Sequence, residues 1–484
     1  MSGALNQALR YLFLKRETST LMPMKEHFKI QGGRALKGYV KASGAKNAIT
    51  KMLVASLLSN KKVTFYNVPN IRDVEVTVDL CREIGMEISW DRKKKIMEVK
   101  TQELKTTLVH QRFSGANRIP ILLLGALLGR TDEEIVIPTI GGCQIGKRPV
   151  DFHIDALRQM GAEIDYHNQK SECAYSARAV EGLKGTVLTL PYPSVGATEN
   201  IILAACRAKG TTVIQNAAIE PEVMDLILFL QKLGVIIHVD VNRSIYIQET
   251  KTFYDIEHTV ITDRIEAASF GMAAIATKGR VFVEGARQSD MIIFLNKLRE
   301  IGGGFLVKEK GIEFFYERPL SGNIHLETDV HPGFLTDWQQ PFVVLLTQSL
   351  GSSVIHETVY ENRFGYTKTL KKMGASVELF TQCLGGRFCR FAEQNFGHSL
   401  IIRGPTPLKG TTIEIPDLRA GFAYVMAALV APDKSDLFGL HFLDRGYEHL
   451  EEKLQSLGAD ITRCITSPEQ KINELLNLNS RFGF

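Results

Sequence analysis

Residues 211–237 read TTVIQNAAIEPEVMDLILFLQKLGVII: a β-rich run, a polar connection, an amphipathic stretch, and then Leu233-Gly234. The first part suits a strand and the second a helix, because the apolar period changes from two to about 3.6. The closing glycine stands where the chain leaves the helix for the next strand. A left-handed C-cap is wanted there, and glycine has no Cβ to clash. The same phrase returns in residues 61–88, 133–164, 279–305, 352–379 and 437–461, closing on Gly85, Gly161, Gly302, Gly374 and Gly458. Six units of roughly 70–85 residues follow, and self-similarity at a fixed period fixes architecture before any other signal.

Longer apolar stretches lie between these marks, among them IPILLLGALLG (119–129), ATENIILAACRAKG (197–210) and AGFAYVMAALVAP (420–432). Apolar nearly all round, they predict interior helices wrapped by the amphipathic ones and the strands. The 484 residues are too many for one core, so the expectation is an α/β protein of two three-unit domains with a ligand in the cleft between them.

Composition narrows the function. A hydrophobic fraction of 44% and a charged fraction of 23% are those of a soluble globular protein, and no apolar run approaches membrane-spanning length. The net charge of +5 gives no polyanion footprint, which speaks against nucleic acid but permits small anions held by local arginines. The seven cysteines at 81, 143, 173, 206, 383, 389 and 464 include no CxxC pair, so neither zinc sites nor a disulfide framework is expected, and a reducing cytoplasm fits. Residues 1–23 carry an apolar core too short and interrupted for a signal peptide and read as an extension without function, ahead of Met24.

One unit carries GGCQIGKRPVD at 141–151. Gly141-x4-Gly146-Lys147 nearly spells a phosphate-binding P-loop, but the hydroxyl residue required next is Arg148, and Pro149 follows it. That reading fails. Cys143, flanked by glycines with Lys147 and Arg148 close by, has instead the surroundings that lower a thiol's pKa. The other six cysteines read as small apolar filler. Lys46 and Asn47 follow a glycine turn at the head of a helix, where backbone N–H groups favour anions, and SVGATEN (194–200) is a second such start. Asp337 lies beside a Gly/Pro turn, while Arg363, Arg419 and Arg445 fall in connections at comparable places of different repeats. The set describes a cleft with cations, one acid–base thiol and one carboxylate, suited to two anionic substrates.

SGAKNA, GGCQIGKRPVDFHI, PSVGATEN, NAAIEPEVMDL, TDRIEAASF, GFLTDWQQP, ETVYENRF, DLRAG and LDRGYEHLEEKLQSLGADI occur in an order and spacing that resembles the UDP-N-acetylglucosamine 1-carboxyvinyltransferases of the EPSP synthase family, from about Met24 to Arg463. The resemblance implies an inside-out α/β barrel, two domains each of three βαβαββ repeats. One would comprise 24–45 plus 263–464, the other 46–262 with a catalytic loop at about 139–151, and 465–484 would be a tail. It implies transfer of the enolpyruvyl group of phosphoenolpyruvate to the 3′-hydroxyl of UDP-N-acetylglucosamine with release of phosphate, the first committed step of peptidoglycan synthesis. No metal or organic cofactor is implied.

By the same resemblance Cys143 is the general acid toward the methylene of phosphoenolpyruvate and the thiol alkylated by fosfomycin, on a loop that closes over the sugar nucleotide. Asp337 is the base near the sugar hydroxyl. Lys46, Asn47, Arg148, Arg363, Asp417, Arg419 and Arg445 surround phosphoenolpyruvate. Arg118, Arg148, Pro149, Val150, Asp151, Phe152, Ser194, Val195, Asp337 and Val359 contact the UDP-sugar. Tyr192 departs from the pattern, standing where some members carry a lysine, and puts one diphosphate contact in doubt; Pro416 replaces a common hydroxyl residue. Three alternatives stay open: the shikimate-3-phosphate enzyme, which lacks this cysteine loop and the RPVD stretch; a paralogue acting on another nucleotide; and a catalytically silent UDP-sugar-binding regulator.

Overall fold

The computed structural model describes residues 25–141, 149–169, 172–386 and 389–466. Cys143 and Arg148 lie outside the described residues, as do the expected extension 1–23 and residues 467–484 of the expected tail. The strand Asp460–Thr466 runs two residues past the expected end of the repeat region, since Thr466 still pairs with Lys25.

Six small sheets correspond to the six units, five of four strands and one of three among the described residues. They share one pattern. A strand from outside the unit pairs in parallel with the strand that opens it, as Val187–Thr189 does with Thr211–Gln215 and, from much later in the chain, Ile256–Thr259 with Val63–Tyr66. Two further strands then add antiparallel, as Ile245–Gln248 does on Thr211–Gln215 and Ile237–Val239 on Ile245–Gln248. In the last unit the N-terminal strand Lys25–Gln31 takes the middle place, between Lys434–Phe438 and Asp460–Thr466. In the sheet of Ile135–Pro138 the parallel partner is reduced to a single bridge, Leu108 to Val136. All six closing glycines have positive φ, from 89° at Gly302 to 122° at Gly85. A β-carbon would be strained at each.

The helices divide as their periodicity predicts. Lys46–Ala55, Leu122–Leu127, Val195–Ala205, Arg264–Ala276, Thr336–Thr347 and Leu418–Val430 are the interior set; every residue of Leu122–Leu127 and of Arg264–Ala276 is buried. Arg72–Ile84, Asp151–Gln159, Pro221–Leu233, Ile292–Glu300, Thr367–Lys372 and Leu450–Ser456 bury one face and lie outside them. Two hydrophobic cores result. One draws on residues between Ala45 and Val260, the other on Phe28 to Ala42 together with Ile265 to Ile461.

The chain passes between the cores twice, side by side. Ala45 N–H donates to Ile261 O (2.7 Å) and Asp263 N–H to Ser43 O (2.8 Å). Gly44 sits between, where a β-carbon would come within 1.9 Å of Asn67 O, so no other residue fits. This double crossing sets the head of helix Lys46–Ala55 directly at the junction.

Candidate active site

Two carboxylates organise the polar groups at the junction. Asp337, in the first turn of helix Thr336–Thr347, accepts from Arg419 Nε at 3.0 Å on one oxygen and from Arg363 on the other. Both arginines are buried. Burial alone would raise the Asp337 pKa, but the Arg419 and Arg363 guanidinium groups, with Lys46 adding to them, hold it down at about 2. The carboxylate is therefore charged at any physiological pH. Asp417 is the N-cap of helix Leu418–Val430, accepting from the N–H groups of Arg419 (3.0 Å) and Ala420 (3.1 Å). Its cap fixes the turn from which Arg419 projects.

The second carboxylate is Asp73, in helix Arg72–Ile84. It accepts from Lys46 Nζ at 3.0 Å and from Arg445 Nε at 2.9 Å. Burial works against its charge, and Lys46 and Arg445 overcome it, so its pKa too is lowered. Lys46 and Asp73 belong to the first core and Arg445 to the second, so this cluster spans the junction. Asn47 follows Lys46 in the first turn of a helix with no acidic residue there and no side-chain cap, leaving its N–H groups for an anion.

The expected nucleotide-side residues form a neighbouring group. Arg118 Nη2 approaches Pro149 O at 3.5 Å. Val150 precedes helix Asp151–Gln159, which carries Asp151 and Phe152 at its head. Ser194 caps helix Val195–Ala205 by accepting from Ala197 N–H at 3.4 Å. The two helix heads meet at His153, whose ring lies 3.1 Å from where a Gly196 β-carbon would stand, and whose Nδ1 contacts Asn200 Nδ2 at 3.2 Å. Burial, helped by Arg118, pushes His153 down to about 3, so it is a neutral packing histidine. Val359 is reached from the second core: its N–H donates to buried Glu357 at 2.9 Å, and its carbonyl accepts from Arg390. The Arg390 guanidinium also lies 4.5 Å over the ring of Tyr192, so a cation borne by the opposite core occupies the neighbourhood of this residue, which by the resemblance stands where some members carry a lysine.

Sequence reasoning missed Asp73 and Glu357, each of which places a residue it had found. Asp73 sits inside an ordinary helical pattern and nothing in RDVEVTVDL marks it. It also missed Glu222, which makes a two-point ion pair with Arg264 at 3.0 Å across the crossing. Glu199, buried beside Lys51 at 3.7 Å, has its pKa pushed up by burial to about 7.

Residues 30–454 match the EPSP synthase family, described as EPSP synthase (3-phosphoshikimate 1-carboxyvinyltransferase). The chain belongs to this family. Within it, the chain is 67% identical over 453 residues to the UDP-N-acetylglucosamine 1-carboxyvinyltransferase of Protochlamydia amoebophila (strain UWE25), covering 94% of this chain and 97% of that one. A protein of the same name from Zymomonas mobilis subsp. mobilis (strain ATCC 31821 / ZM4 / CP4) is 37% identical over 444 residues, covering 90% and 99%. The solved structure of the enolpyruvyl transferase NikO from Streptomyces tendae superimposes with a TM-score of 0.81 at 22% identity, covering 92% of this chain and all of that one. That likeness concerns the fold.

Proposed function

We propose that the protein transfers the enolpyruvyl group of phosphoenolpyruvate to the 3′-hydroxyl of UDP-N-acetylglucosamine, releasing phosphate, as the first committed step of peptidoglycan synthesis. The observation that carries the reading is the clamped Asp337: a fully charged carboxylate between two buried arginines, one cation's reach from Lys46. The proteins named for this reaction match the chain over nearly its whole length.

In this reading the two domains are 24–45 plus 263–464 and 46–262, with donor and acceptor between them. Arg363, Arg419, Lys46 and Arg445, with Asn47 and Arg148, take the phosphate and carboxylate of phosphoenolpyruvate, for which planar guanidinium groups are suited. Lys46 and Arg445 pair with Asp73, and Arg363 and Arg419 with Asp337, so each cluster keeps one positive charge in excess. An arriving anion competes for these cations. As it draws Arg363 and Arg419 away, Asp337 loses the charges that hold its pKa near 2 and becomes a better proton acceptor. Basicity thus appears when the donor is bound, and Asp337 takes the proton of the sugar hydroxyl. Cys143 delivers a proton to the methylene carbon, and elimination of phosphate then completes the transfer. Arg118, Pro149, Val150, Asp151, Phe152, Ser194, Val195 and Val359 hold the UDP-sugar. Among the described residues no helix is long and apolar enough to cross a membrane, and we place the enzyme in the cytoplasm, where both substrates are soluble.

The experiment is phosphate release by the purified protein. It is expected to require phosphoenolpyruvate and UDP-N-acetylglucosamine together, and shikimate 3-phosphate is expected not to replace the sugar nucleotide. Release that ignored the sugar nucleotide would refute the assignment.

A further inference from the structure

Two strands and one long connection bring four soft-metal ligands together far from Cys143 in sequence. His356 ends strand Gly351–His356, and His398 immediately precedes strand Ser399–Gly404, which pairs with it in register, His356 opposite Ser399. Cys383 and Cys389 lie in the connection that leads from strand Ser376–Phe380 to His398. One ligand atom from each of the four lies within 4.8 Å of every other, and Cys383 Sγ is 3.2 Å from His398 Nε2. A tetrahedral zinc site with Zn–S of about 2.3 Å and Zn–N of about 2.0–2.1 Å has edges of roughly 3.3–3.8 Å, so closing this cluster shortens no separation by more than about 1–1.5 Å.

The polar bookkeeping points to a missing ligand. His356 is fully buried, its Nδ1 is satisfied by Ser399 Oγ at 2.8 Å, and its Nε2 has no hydrogen-bond partner. A buried imidazole nitrogen is rarely left so. His398 turns its Nδ1 to Phe396 O at 2.6 Å, which fixes the proton there and leaves the Nε2 lone pair facing Cys383. Both histidines thus have their outer nitrogen engaged and the inner one aimed at the thiols, the arrangement that metal-bound histidines show. Phe391 N–H points at Cys389 Sγ at 3.3 Å, a contact that supports a thiolate. Gly385 lies so close to the His356 ring that a β-carbon would come within 2.3 Å of it.

We propose that His356, Cys383, Cys389 and His398 bind one zinc ion in a closed, structural Cys₂His₂ site that pins the 381–398 connection onto the sheet. Four bonds form, two Zn–N and two Zn–S; the two thiol protons leave to solvent, and no electron is transferred. The two thiolates neutralise the ion, which suits a site with His356, Cys389 and His398 buried and Cys383 at the surface. The site clips in place the neighbouring Arg390, which binds Val359 O and covers Tyr192.

The test is elemental analysis of the full-length protein, purified without chelator, exposed to zinc and passed over a chelating resin. One zinc per chain is expected, and cobalt(II) in its place should give the intense visible bands of tetrahedral coordination with thiolate charge transfer. Cys389→Ser and Cys383→Ser should each lose the ion, and Cys464→Ser should keep it. Ser399→Ala, which removes only the support of His356, should weaken zinc binding by roughly 10–100-fold. Stripping the metal should speed tryptic cleavage within 381–398 at least tenfold. Wild-type protein with less than a tenth of a zinc per chain would overturn the proposal. So would a Cys383–Cys389 disulfide in protein purified under reducing conditions. Because metal content is read without an activity assay, neither result depends on the reaction assigned above.

Discussion

Asp337 and Asp73 are built alike and placed differently. Asp73 is buried and Asp337 partly exposed; each lies near a helix start, engages two cations, and is held ionised against the cost of desolvation. Asp337 finds both arginines within its own core, so its geometry is independent of the distance between the halves. Asp73 takes Lys46 from its own core and Arg445 from the other, so its ion pairs exist only at one separation of the halves. In the proposed reading the first cluster is a preset anion site. The second also reports closure.

The largest expected effect is on the preset cluster. Arg419→Lys keeps the charge but loses the planar fork, and kcat/KM for phosphoenolpyruvate should fall roughly 10²-fold or more, as for truncating a buried charged contact. A change below threefold would show that the arginine fork is not used. Asp73→Asn leaves Lys46 and Arg445 facing one another without a counter-charge and should cost about 2–3 kcal/mol of stability, at the low end of a broken buried pair because both cations are partly solvated. Calorimetry should show the two cores then melting as separate transitions. One sharp transition at an unchanged temperature would remove Asp73 from the coupling.

The smallest effect is the dependence on acid. An unfolded aspartate titrates near ~3.9, and Asp337 at about 2 lies below it. A depressed carboxylate stabilises the fold above the unfolded value and loses that contribution as pH falls from ~4 through about 2. Between those limits the parent should lose on the order of 2 kcal/mol more stability than Asp337→Asn. Parallel denaturation curves would mean the ion pairs carry no net stability.

Much of this architecture can be read from local chemistry. The six glycines announce themselves because a left-handed residue after an amphipathic run admits little else, and four of the interior helices, at 119–129, 197–210, 266–279 and 420–432, because their sequence is apolar nearly all round. Lys46 is visible as a cation at a helix head and Arg363 and Arg445 as cations in connections; Arg419, also read as lying in a connection, is in the first turn of helix Leu418–Val430. Asp73 is invisible because an acidic residue in a first helical turn is ordinary, and only the fold brings Arg445 to it. The His356–Cys383–Cys389–His398 cluster escapes for a related reason. A search for closely spaced cysteine pairs misses it, because His356 ends one strand while the two cysteines, six apart, lie in the connection that leads to His398, just ahead of the strand paired with it. Cys143 is the converse, conspicuous in sequence and outside the described residues.

The central claim is that Asp337, clamped until the donor arrives, is the base of the transfer. It is tested most directly by measuring turnover and UDP-N-acetylglucosamine binding together in Asp337→Asn. The account predicts turnover reduced by roughly 10²–10⁴-fold with the dissociation constant of the sugar nucleotide changed only a few-fold. Turnover within tenfold of the parent would contradict it.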